Sequence, residues 1–354
     1  MENTKINKIS FASDNSSGVH TKVLQAIAEA NRGHAMPYGD DIYTKHVTTL
    51  FKKIFGPDSE IFLVFTGTGA NVIALESVTR SYETIICSEK GHVFDSETGA
   101  PEKLTGCKLT GLPTVNGKIN ASQLKQIFSS QEWIHSNKPG AISIAQLTEL
   151  GTAYNVSELS NLSKIAHRNN VYFHIDGARF ANAAVNLNIN LQELTEKSGV
   201  DLLSFGGTKN GLLSGEAIIC FNQDIANRLK YIRKQSLNLA SKMRYLSAQF
   251  IPYLEDNLWY ECADQANKMA SKIVNGISNL KSINILYPVE GNMIFIKIPQ
   301  VIAHKLAQLY HIYILENKDD YSTVRLVCSF NTTKNDVDCF IHSIKSLFKE
   351  YNFM

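Results

Sequence analysis

The sequence predicts an α/β fold in three layers, with a mostly parallel β-sheet covered by helices on both faces, followed by a smaller α+β domain. Short apolar segments of strand length recur through the first two thirds of the chain and alternate with segments of helical periodicity. These apolar segments are continuous rather than alternating, which is typical of strands buried on both faces of a parallel sheet. Near residue 255 the pattern becomes sparser, and this change predicts the second domain.

The strands predicted for the large domain share an apolar run bounded by turn residues. They are Ile61–Thr66, Thr84–Ser88, Ala141–Leu147, Val171–Ile175, Asp201–Phe205 and Ala217–Phe221. Helical periodicity between them predicts Ala70–Arg80, Ala121–Phe128, Val156–Asn169 and Leu191–Lys197. Asn155 precedes the third of these helices and is a candidate capping residue. The region Asp224–Leu254 contains no strand pattern and predicts one long helical stretch.

The boundary near residue 255 assigns residues 1–254, with the N-terminal segment, to the large domain and residues 255–354 to the small one. The small domain's predicted helices are Cys262–Leu280, Val301–Tyr310 and Lys334–Glu350. Its predicted strands are Ile283–Leu286, Met293–Ile298, Ile312–Leu315 and Val324–Ser329.

Composition excludes several classes of protein. The chain has 354 residues, and 44% of them are hydrophobic, enough for a large core; a net charge of +2 does not favour nucleic acid as a partner. No apolar run is long enough to span a membrane, and the N-terminus lacks the apolar stretch of a secretory signal, so we expect a cytoplasmic protein. The six cysteines form no Cys-x-x-Cys pair, which predicts reduced, mostly buried thiols and no metal site.

A glycine-rich turn follows the first strand and opens a helix at Thr66-Gly67-Thr68-Gly69-Ala70. Free backbone N–H groups and the positive end of the helix dipole make such a turn an anion site. A dinucleotide fingerprint would need glycine where Val72 stands, and the Gly-Lys-Ser/Thr of a nucleoside triphosphate loop is absent. The turn therefore suits a single phosphate, although turns of this kind are often purely structural.

Two charged residues stand at predicted strand ends, where ligands gather in a wound α/β sheet. Asp176 lies in His174-Ile175-Asp176-Gly177-Ala178-Arg179; it is either a carboxylate that pairs with a ring cation or a cap for the next helix. Lys209 lies in Gly206-Gly207-Thr208-Lys209-Asn210-Gly211, where small neighbours let a planar ligand approach the amine. A simple turn lysine is the alternative.

His92 by itself is more typical of an ordinary hydrogen-bonding residue. Together, however, a phosphate cup, a strand-end aspartate, a glycine-flanked lysine and a flat ring are the parts that bind pyridoxal 5'-phosphate.

With these motifs in place, the sequence resembles the L-threonine aldolases, in particular the low-specificity and phenylserine aldolases, among the fold-type I pyridoxal-phosphate enzymes. The resemblance runs in order over nearly the whole chain. Its motifs are Ser13-Asp14-Asn15, Tyr38-Gly39-Asp40-Asp41, Thr66-Gly67-Thr68-Gly69-Ala70-Asn71, His92, Glu97-Thr98-Gly99-Ala100-Pro101-Glu102, His174-Ile175-Asp176-Gly177-Ala178-Arg179, Gly206-Gly207-Thr208-Lys209-Asn210-Gly211 and Val324-Arg325-Leu326. It implies an aspartate-aminotransferase-like large domain and a homodimer or homotetramer, with the segment around Tyr38 a candidate to reach a neighbouring subunit.

The resemblance also implies roles for individual residues. Lys209 forms the Schiff base with the cofactor, Asp176 pairs with its pyridine nitrogen, and His92 stacks on its ring. Gly67, Thr68 and Thr208 lie on the phosphate side. Arg179 and Arg325 hold the carboxylate of an amino-acid substrate, with Ser13 nearby, and Arg179 also lies against the cofactor.

Two segments depart from the family pattern. Ala12-Ser13-Asp14 stands where many relatives have Arg-Ser-Asp, and Ile144-Ala145-Gln146-Leu147-Thr148-Glu149 stands where many have a Glu-Asn-Thr-His segment. The second change removes a histidine, which leaves the general base open between His92 and an ordered water, and makes Gln146 a candidate partner of the cofactor's phenolic oxygen.

The implied reaction is retro-aldol cleavage of a β-hydroxy-α-amino acid, such as L-threonine or L-allo-threonine, to glycine and an aldehyde. An aminotransferase or a β-eliminating lyase is the alternative within the same cofactor class. A non-enzymatic module and a nicotinamide dehydrogenase are disfavoured, the second by Val72.

Overall fold

The computed structural model describes residues 8–129 and 134–353. Residues 1–7, which belong to the N-terminal stretch used to predict that no secretory signal is present, lie outside the described ranges. Seven strands form the larger sheet: β1 (Glu60–Val64), β2 (Glu83–Ser88), β3 (Lys108–Leu112), β4 (Lys138–Ala145), β5 (Tyr172–Gly177), β6 (Leu202–Gly206) and β7 (Glu216–Cys220). Four strands form the smaller one: β8 (Asn284–Ile285), β9 (Met293–Pro299), β10 (Tyr313–Lys318) and β11 (Tyr321–Val327).

Thirteen α-helices occur among the described residues. They are α1 (Thr21–Ala30), α2 (Ile42–Phe55), α3 (Gly67–Val78), α4 (His92–Asp95), α5 (Ala100–Thr105), α6 (Ala121–Ser129), α7 (Val156–Arg168), α8 (Phe180–Leu187), α9 (Gln223–Gln235), α10 (Met243–Glu255), α11 (Leu258–Ile277), α12 (Gln300–Leu309) and α13 (Lys334–Glu350). No helix of this set is both long and apolar enough to cross a bilayer.

The larger sheet has the strand order β1-β7-β6-β5-β4-β2-β3. The pairs from β3 through β6 are parallel, and β7 alone runs antiparallel to both of its neighbours. The predicted mostly parallel sheet is therefore confirmed. Because β1 and β6 run in the same direction on either side of β7, the carboxyl ends of β1, β4, β5 and β6 meet at one edge.

Helices cover both faces of this sheet, which confirms the predicted three layers. Consecutive strand residues point to opposite faces. Accordingly, Leu203 and Ile219 pack into one apolar cluster with α2, α7 and α10, whereas Leu202 and Ile218 pack into another with α3 and α9. All four side chains are fully buried, which explains why the strands read as continuous apolar runs.

The smaller sheet packs against α11, α12 and α13 and encloses a separate apolar cluster. Phe11, from the N-terminal segment, lies in this cluster, and its backbone bonds to His311 and Val327. The predicted boundary near residue 255 falls where α10 ends, and the division of the chain at that point stays a prediction.

Two predicted helices are wrong. The stretch predicted as one helix over Asp224–Leu254 is divided into α9 and α10, because Leu237 takes a φ of 64°, and the Asn238 side chain accepts a hydrogen bond from the Phe65 N–H. The predicted helix Leu191–Lys197 consists of turns and a 3-10 helix at Glu196–Ser198. There the Thr195 hydroxyl donates a hydrogen bond to the Leu191 carbonyl, and the Ser198 hydroxyl donates one to the Glu193 carbonyl. These side-chain hydrogen bonds compete with the backbone hydrogen bonds of a helix.

Several elements were not predicted. The edge strand β3 contains Lys108 and Gly111 and buries only Leu109 in its strand, so its apolar signal is weak. Helix α2 is rich in threonine, valine and isoleucine, residues that favour strands, yet Asp41 caps it through the Thr44 N–H, and one face is buried. By contrast, the predicted cap of α7 is confirmed: Asn155 and Glu158 form a reciprocal capping box.

Candidate functional site

A pocket opens at the carboxyl edge of the large sheet, where α3 begins and β4, β5 and β6 end. Six residues predicted for the site line it together: Gly67, Thr68, His92, Asp176, Arg179 and Lys209. The topology explains the meeting, since it places the ends of these parallel strands side by side. Ser13, Thr208 and Arg325 lie outside this lining.

The amino end of α3 faces the pocket. Thr66 caps the helix, and its Oγ1 accepts the Gly69 N–H at 3.0 Å. A Cβ atom added at Gly67 would meet nothing within 4 Å, so the backbone there is open to a ligand. The first N–H groups of the helix and the positive end of its dipole thus face a space that an anionic group can enter.

A buried hydrogen-bond chain joins Asp176 to His92. The Asn71 amide nitrogen donates to Asp176 Oδ2 at 2.9 Å and to Glu97 Oε1 at 3.0 Å, and the same Glu97 oxygen lies 2.9 Å from His92 Nδ1. The hydrogen bond that the His92 ring donates to Glu97 raises the pKa of His92 against the opposing effect of burial. Glu97 therefore favours the protonated form of the His92 ring.

Asp176 does not cap the following helix. Its Oδ1 accepts the Ala178 N–H at 3.0 Å, but α8 begins later, with Arg179 in the capping position. The carboxylate is 7% exposed and borders the pocket, as its functional interpretation requires.

His92, Glu97 and Asp176 also present three atoms of the kind that bind metals within 4.8 Å of one another. Because Asn71 and the His92 ring already hydrogen-bond the two carboxylates, these contacts explain the cluster without an ion. The absence of a metal site stays a prediction.

Beneath Asp176, the fully buried His174 joins three strands. Its two ring nitrogens lie 2.9 Å from the hydroxyls of Ser143 on β4 and Ser204 on β6. Burial lowers the pKa of His174 to about 4, so the ring is neutral at physiological pH. A neutral imidazole can donate a hydrogen bond through one nitrogen and accept one through the other. His174 thus links β5 to both β4 and β6 below the pocket.

Lys209 lies in a 3-10 helix, Thr208–Asn210, directly after β6. Burial, and then the charge of Arg179, lower the pKa of its amine, while Asp14, Asp176 and Glu216 act in the opposite direction. Glycine is required just before it, since a Cβ at Gly206 would lie 2.6 Å from the Ala178 carbonyl oxygen. This close approach holds the lysine at the floor of the pocket.

The loop that carries Lys209 is anchored by Glu216 on β7. Glu216 Oε2 accepts the Gly207 N–H at 2.8 Å, and burial raises the pKa of this carboxyl to about 7. The Thr208 hydroxyl hydrogen-bonds Glu216 and accepts the Gly215 N–H at 3.1 Å. Thr208 thus holds the loop from behind the pocket, whereas its predicted contact with a phosphate remains a prediction.

The two arginines predicted to bind a carboxylate have different surroundings. Arg179 is paired with Asp14 through two hydrogen bonds, Nε to Oδ2 at 2.7 Å and a terminal nitrogen to Oδ1 at 2.9 Å. Arg325 donates to the Ala12 carbonyl at 3.2 Å and stacks on the Tyr313 ring, and its buried Nε has no partner among the described residues. Ser13, the third residue predicted there, accepts the Asn15 N–H at the start of a 3-10 turn.

Sequence reasoning gave no role to four acidic or amide residues of the site: Asp14, Asn71, Glu97 and Glu149. The first three lie within the motifs that carry the family resemblance. Their role is to hydrogen-bond another side chain of the site, and no spacing of residues in a single sequence reveals such a contact. The proposed role of Gln146 is wrong for a similar reason. Its amide is fully buried, and both of its ends are bonded to the Tyr154 backbone at 2.8 Å.

The chain is similar to known proteins over most of its length. A profile of the beta-eliminating lyase family matches residues 10–300. The low specificity L-threonine aldolase of Pseudomonas aeruginosa is 39% identical over 91% of this chain and 93% of its own length. That of Pseudomonas sp. is 40% identical over 82% of this chain and 84% of its own length. A solved structure of Leishmania major threonine aldolase superposes with a TM-score of 0.91 at 29% identity, over 96% of this chain and 99% of that one.

The fold is that of the fold-type I pyridoxal-phosphate enzymes. Within this class, the chain belongs to the beta-eliminating lyase family. The resemblance to L-threonine aldolases drawn from the motifs is thereby confirmed.

Proposed function

We propose that this protein is a pyridoxal-phosphate-dependent lyase that cleaves β-hydroxy-α-amino acids, such as L-threonine and L-allo-threonine, into glycine and an aldehyde. The observation that carries the proposal is the meeting of Lys209, Asp176 and the amino end of α3 in one pocket. Relatives at 39% and 40% identity named low specificity L-threonine aldolase support the choice of reaction.

The residues of the pocket fit the proposed cofactor, pyridoxal 5'-phosphate. The open backbone at Gly67, with Thr68 beside it in the pocket lining, suits a phosphate, and the nearly buried Asp176 carboxylate suits a protonated ring nitrogen. The lowered pKa of the Lys209 amine favours the neutral form that attaches to an aldehyde. When bound, the cofactor would accept the electron pair of the bond that breaks at the substrate's α-carbon.

Arg325 is the better candidate of the two arginines for the substrate carboxylate. Asp14 already occupies two donors of Arg179, whereas the buried Nε of Arg325 has no partner within the described ranges. Arg179 lines the pocket, and the role we propose for it is to present its positive charge and the N–H groups that Asp14 does not bind to the substrate and cofactor. Holding the carboxylate fixes which α-carbon bond can break, and this orientation determines the reaction. Ser13 is kept in the proposal as a residue near this carboxylate.

His92 suits stacking on the cofactor ring better than removal of the hydroxyl proton. Its ring side chain is 44% exposed and lines the pocket, and Glu97 favours its protonated form. The protonated form of the ring cannot accept a further proton, which makes His92 the weaker candidate for the general base.

We also propose a homodimer or homotetramer located in the cytoplasm. Four exposed apolar side chains support the assembly: Tyr38, Phe65, Leu213 and Leu237. They lie together beside the start of α3, since Phe65 bonds Asn238 and Ser214, and Tyr38 bonds Ser241. An exposed patch of this kind favours a protein interface. The six unpaired cysteines support a reducing compartment. Sedimentation of a fully active monomer would contradict the assembly.

The test records the visible spectrum of the purified protein with pyridoxal phosphate, then adds L-threonine and follows aldehyde formation. A cofactor band followed by aldehyde supports both the cofactor and the reaction. A band with keto acid or ammonia as product would instead favour an aminotransferase or a β-eliminating lyase. The absence of a band would contradict the proposed cofactor site.

A further inference from the structure

Glu149 is an acidic residue of the pocket for which the preceding assignments have no use. It follows β4 in the loop that departs from the family pattern, is partly buried, and lines the pocket with His92 and Lys209. Its Oε1 accepts the backbone N–H of His92 at 2.7 Å. This bond holds the carboxylate against the residue that we expect to stack on the cofactor.

The three carboxylates that line the pocket differ in their partners. Glu97 is bonded by the side chains of Asn71 and His92, and Asp176 is bonded by Asn71. Glu149, in contrast, is bonded by backbone N–H groups and forms no side-chain hydrogen bond or ion pair in the part of the chain that the structure describes. Of the three carboxylates, Glu149 is therefore the one that is free of hydrogen bonds to other side chains and can accept a proton from a substrate.

We propose that Glu149 is the catalytic base that removes the proton from the β-hydroxyl of the substrate. This inference rests on the proposed function. The Glu149 carboxylate accepts the hydroxyl proton, the β-oxygen forms the carbonyl of the aldehyde, and the Cα–Cβ bond breaks. The electron pair of that bond remains on the glycine side, where Cα takes up a proton, so that no oxidant or reductant is needed.

The surroundings of Glu149 suit this task. Burial raises the pKa of Glu149 to about 7; the N–H of His92 and the His92 charge oppose this rise, and Asp176 adds to it. Cys87 and Tyr154 also face the carboxyl, and burial raises the pKa of both, so they are uncharged at neutral pH. A base whose pKa lies near the working pH transfers protons most effectively.

The experiment compares Glu149→Gln with the wild type on the holoenzyme. Glutamine keeps an oxygen that can accept the His92 N–H but cannot take up the proton. We expect kcat for L-threonine cleavage to fall by roughly 100- to 10,000-fold, the range for loss of a general base. In the wild type, kcat should fall as the pH drops through about 7, because Glu149 becomes protonated; the variant should lack this limb.

Two further readouts separate catalysis from structure. Exchange of the glycine α-proton with deuterated solvent does not involve a β-hydroxyl, so Glu149→Gln should retain it. Infrared titration of the full chain should show two carboxyls with midpoints near pH 7, those of Glu149 and Glu216, and the variant should lose one of them. Glu290→Gln is the matched control, because Glu290 Oε2 accepts the Ala153 N–H at 2.7 Å outside the pocket, and its pH profile should match the wild type.

Each outcome decides the proposal. Lost cleavage with retained glycine exchange supports it, and partial recovery in Glu149→Asp would strengthen it. Cleavage by Glu149→Gln within about threefold of the wild type overturns it. Loss of both cleavage and glycine exchange also overturns it, since Glu149 would then hold the site together. If the wild type cleaves no β-hydroxy amino acid, the proposed function itself has failed.

Discussion

Arg179 and Asp14 form a buried ion pair that joins the end of β5 to the N-terminal segment, with Nε 2.7 Å from Oδ2. The Asp14 side chain is 1% exposed and that of Arg179 is 14% exposed. Asn292 also donates to Asp14 Oδ2, at 3.1 Å. Residues far apart in the chain thus meet on one carboxylate at the edge of the pocket.

Asp14→Ala should destabilise the protein by about 3–5 kcal/mol, because it leaves the Arg179 charge buried without its partner. Urea unfolding measures this change. The exposed Asp58→Ala should stay within about 0.5 kcal/mol of the wild type. An Asp14→Ala variant as stable as the wild type would contradict the importance of the pair.

The same pair predicts a dependence of stability on pH. Burial alone would raise the pKa of Asp14, but Arg179, Lys209 and the hydrogen bonds outweigh it and lower the pKa. The contribution of Asp14 is therefore complete above the unfolded-state pKa of about 3.9 and is lost as the pH falls through the lower folded-state value. Unfolding of wild type and Asp14→Asn at several acidic pH values checks this, since the variant should lose less stability.

Lys209→Ala should abolish turnover, because no other amine lines the pocket in the described residues. Aldehyde release and the cofactor's visible band are both measured. The exposed Lys90→Ala, two residues before His92, is the control and should retain both signals. Near-wild-type cleavage by Lys209→Ala would exclude the assigned role.

Arg325→Ala should raise KM for the amino acid far more than it lowers kcat. A hydrogen bond to a charged group contributes about 1.5–3 kcal/mol, which corresponds to roughly a 10- to 150-fold change in KM. Steady-state kinetics with L-threonine give both constants, and the exposed Arg168→Ala serves as the control. An unchanged KM would remove Arg325 from the carboxylate site.

Glu97→Gln should lower the pKa of His92, since the hydrogen bond that the ring donates to the Glu97 carboxylate is the main cause of its rise. The stabilisation from this pair is present below the unfolded-state pKa of about 6.5 and is lost as the pH rises through the folded-state value. Histidine ring NMR follows the titration. His167, whose pKa is raised by a separate bond to Asp201, should titrate as before in the same spectra.

A thiol reagent should modify Cys339 first in the native protein. Cys339 is exposed on α13, whereas the other five cysteines are buried. Burial also raises the pKa of Cys87, Cys220 and Cys262 to about 12, which keeps the thiolate scarce. Counting modified thiols before and after unfolding should give one and then six.

The sequence predicts the parts of this protein that follow from periodicity and from short motifs. The buried strands, the strand-end positions of Asp176 and Lys209, and the glycine turn before α3 all leave a signal within a few residues. The break at Leu237 leaves no such signal and the edge strand β3 only a weak one, because both depend on contacts with distant residues.

The site divides in the same way. Asn71 is valuable because it reaches Glu97 and Asp176 at once, and such a contact exists only after folding. Glu149 stands in a segment that departs from the family pattern, but its position beside His92 exists only in the folded chain.

The N-terminal segment mechanically couples the two lobes of the molecule. Phe11 is packed into the core of the small domain. Three residues later, Asp14 forms an ion pair with Arg179 at the edge of the large sheet. Because only two residues separate Phe11 from Asp14, a displacement of the smaller sheet relative to the larger one would be transmitted to Arg179 at the pocket wall.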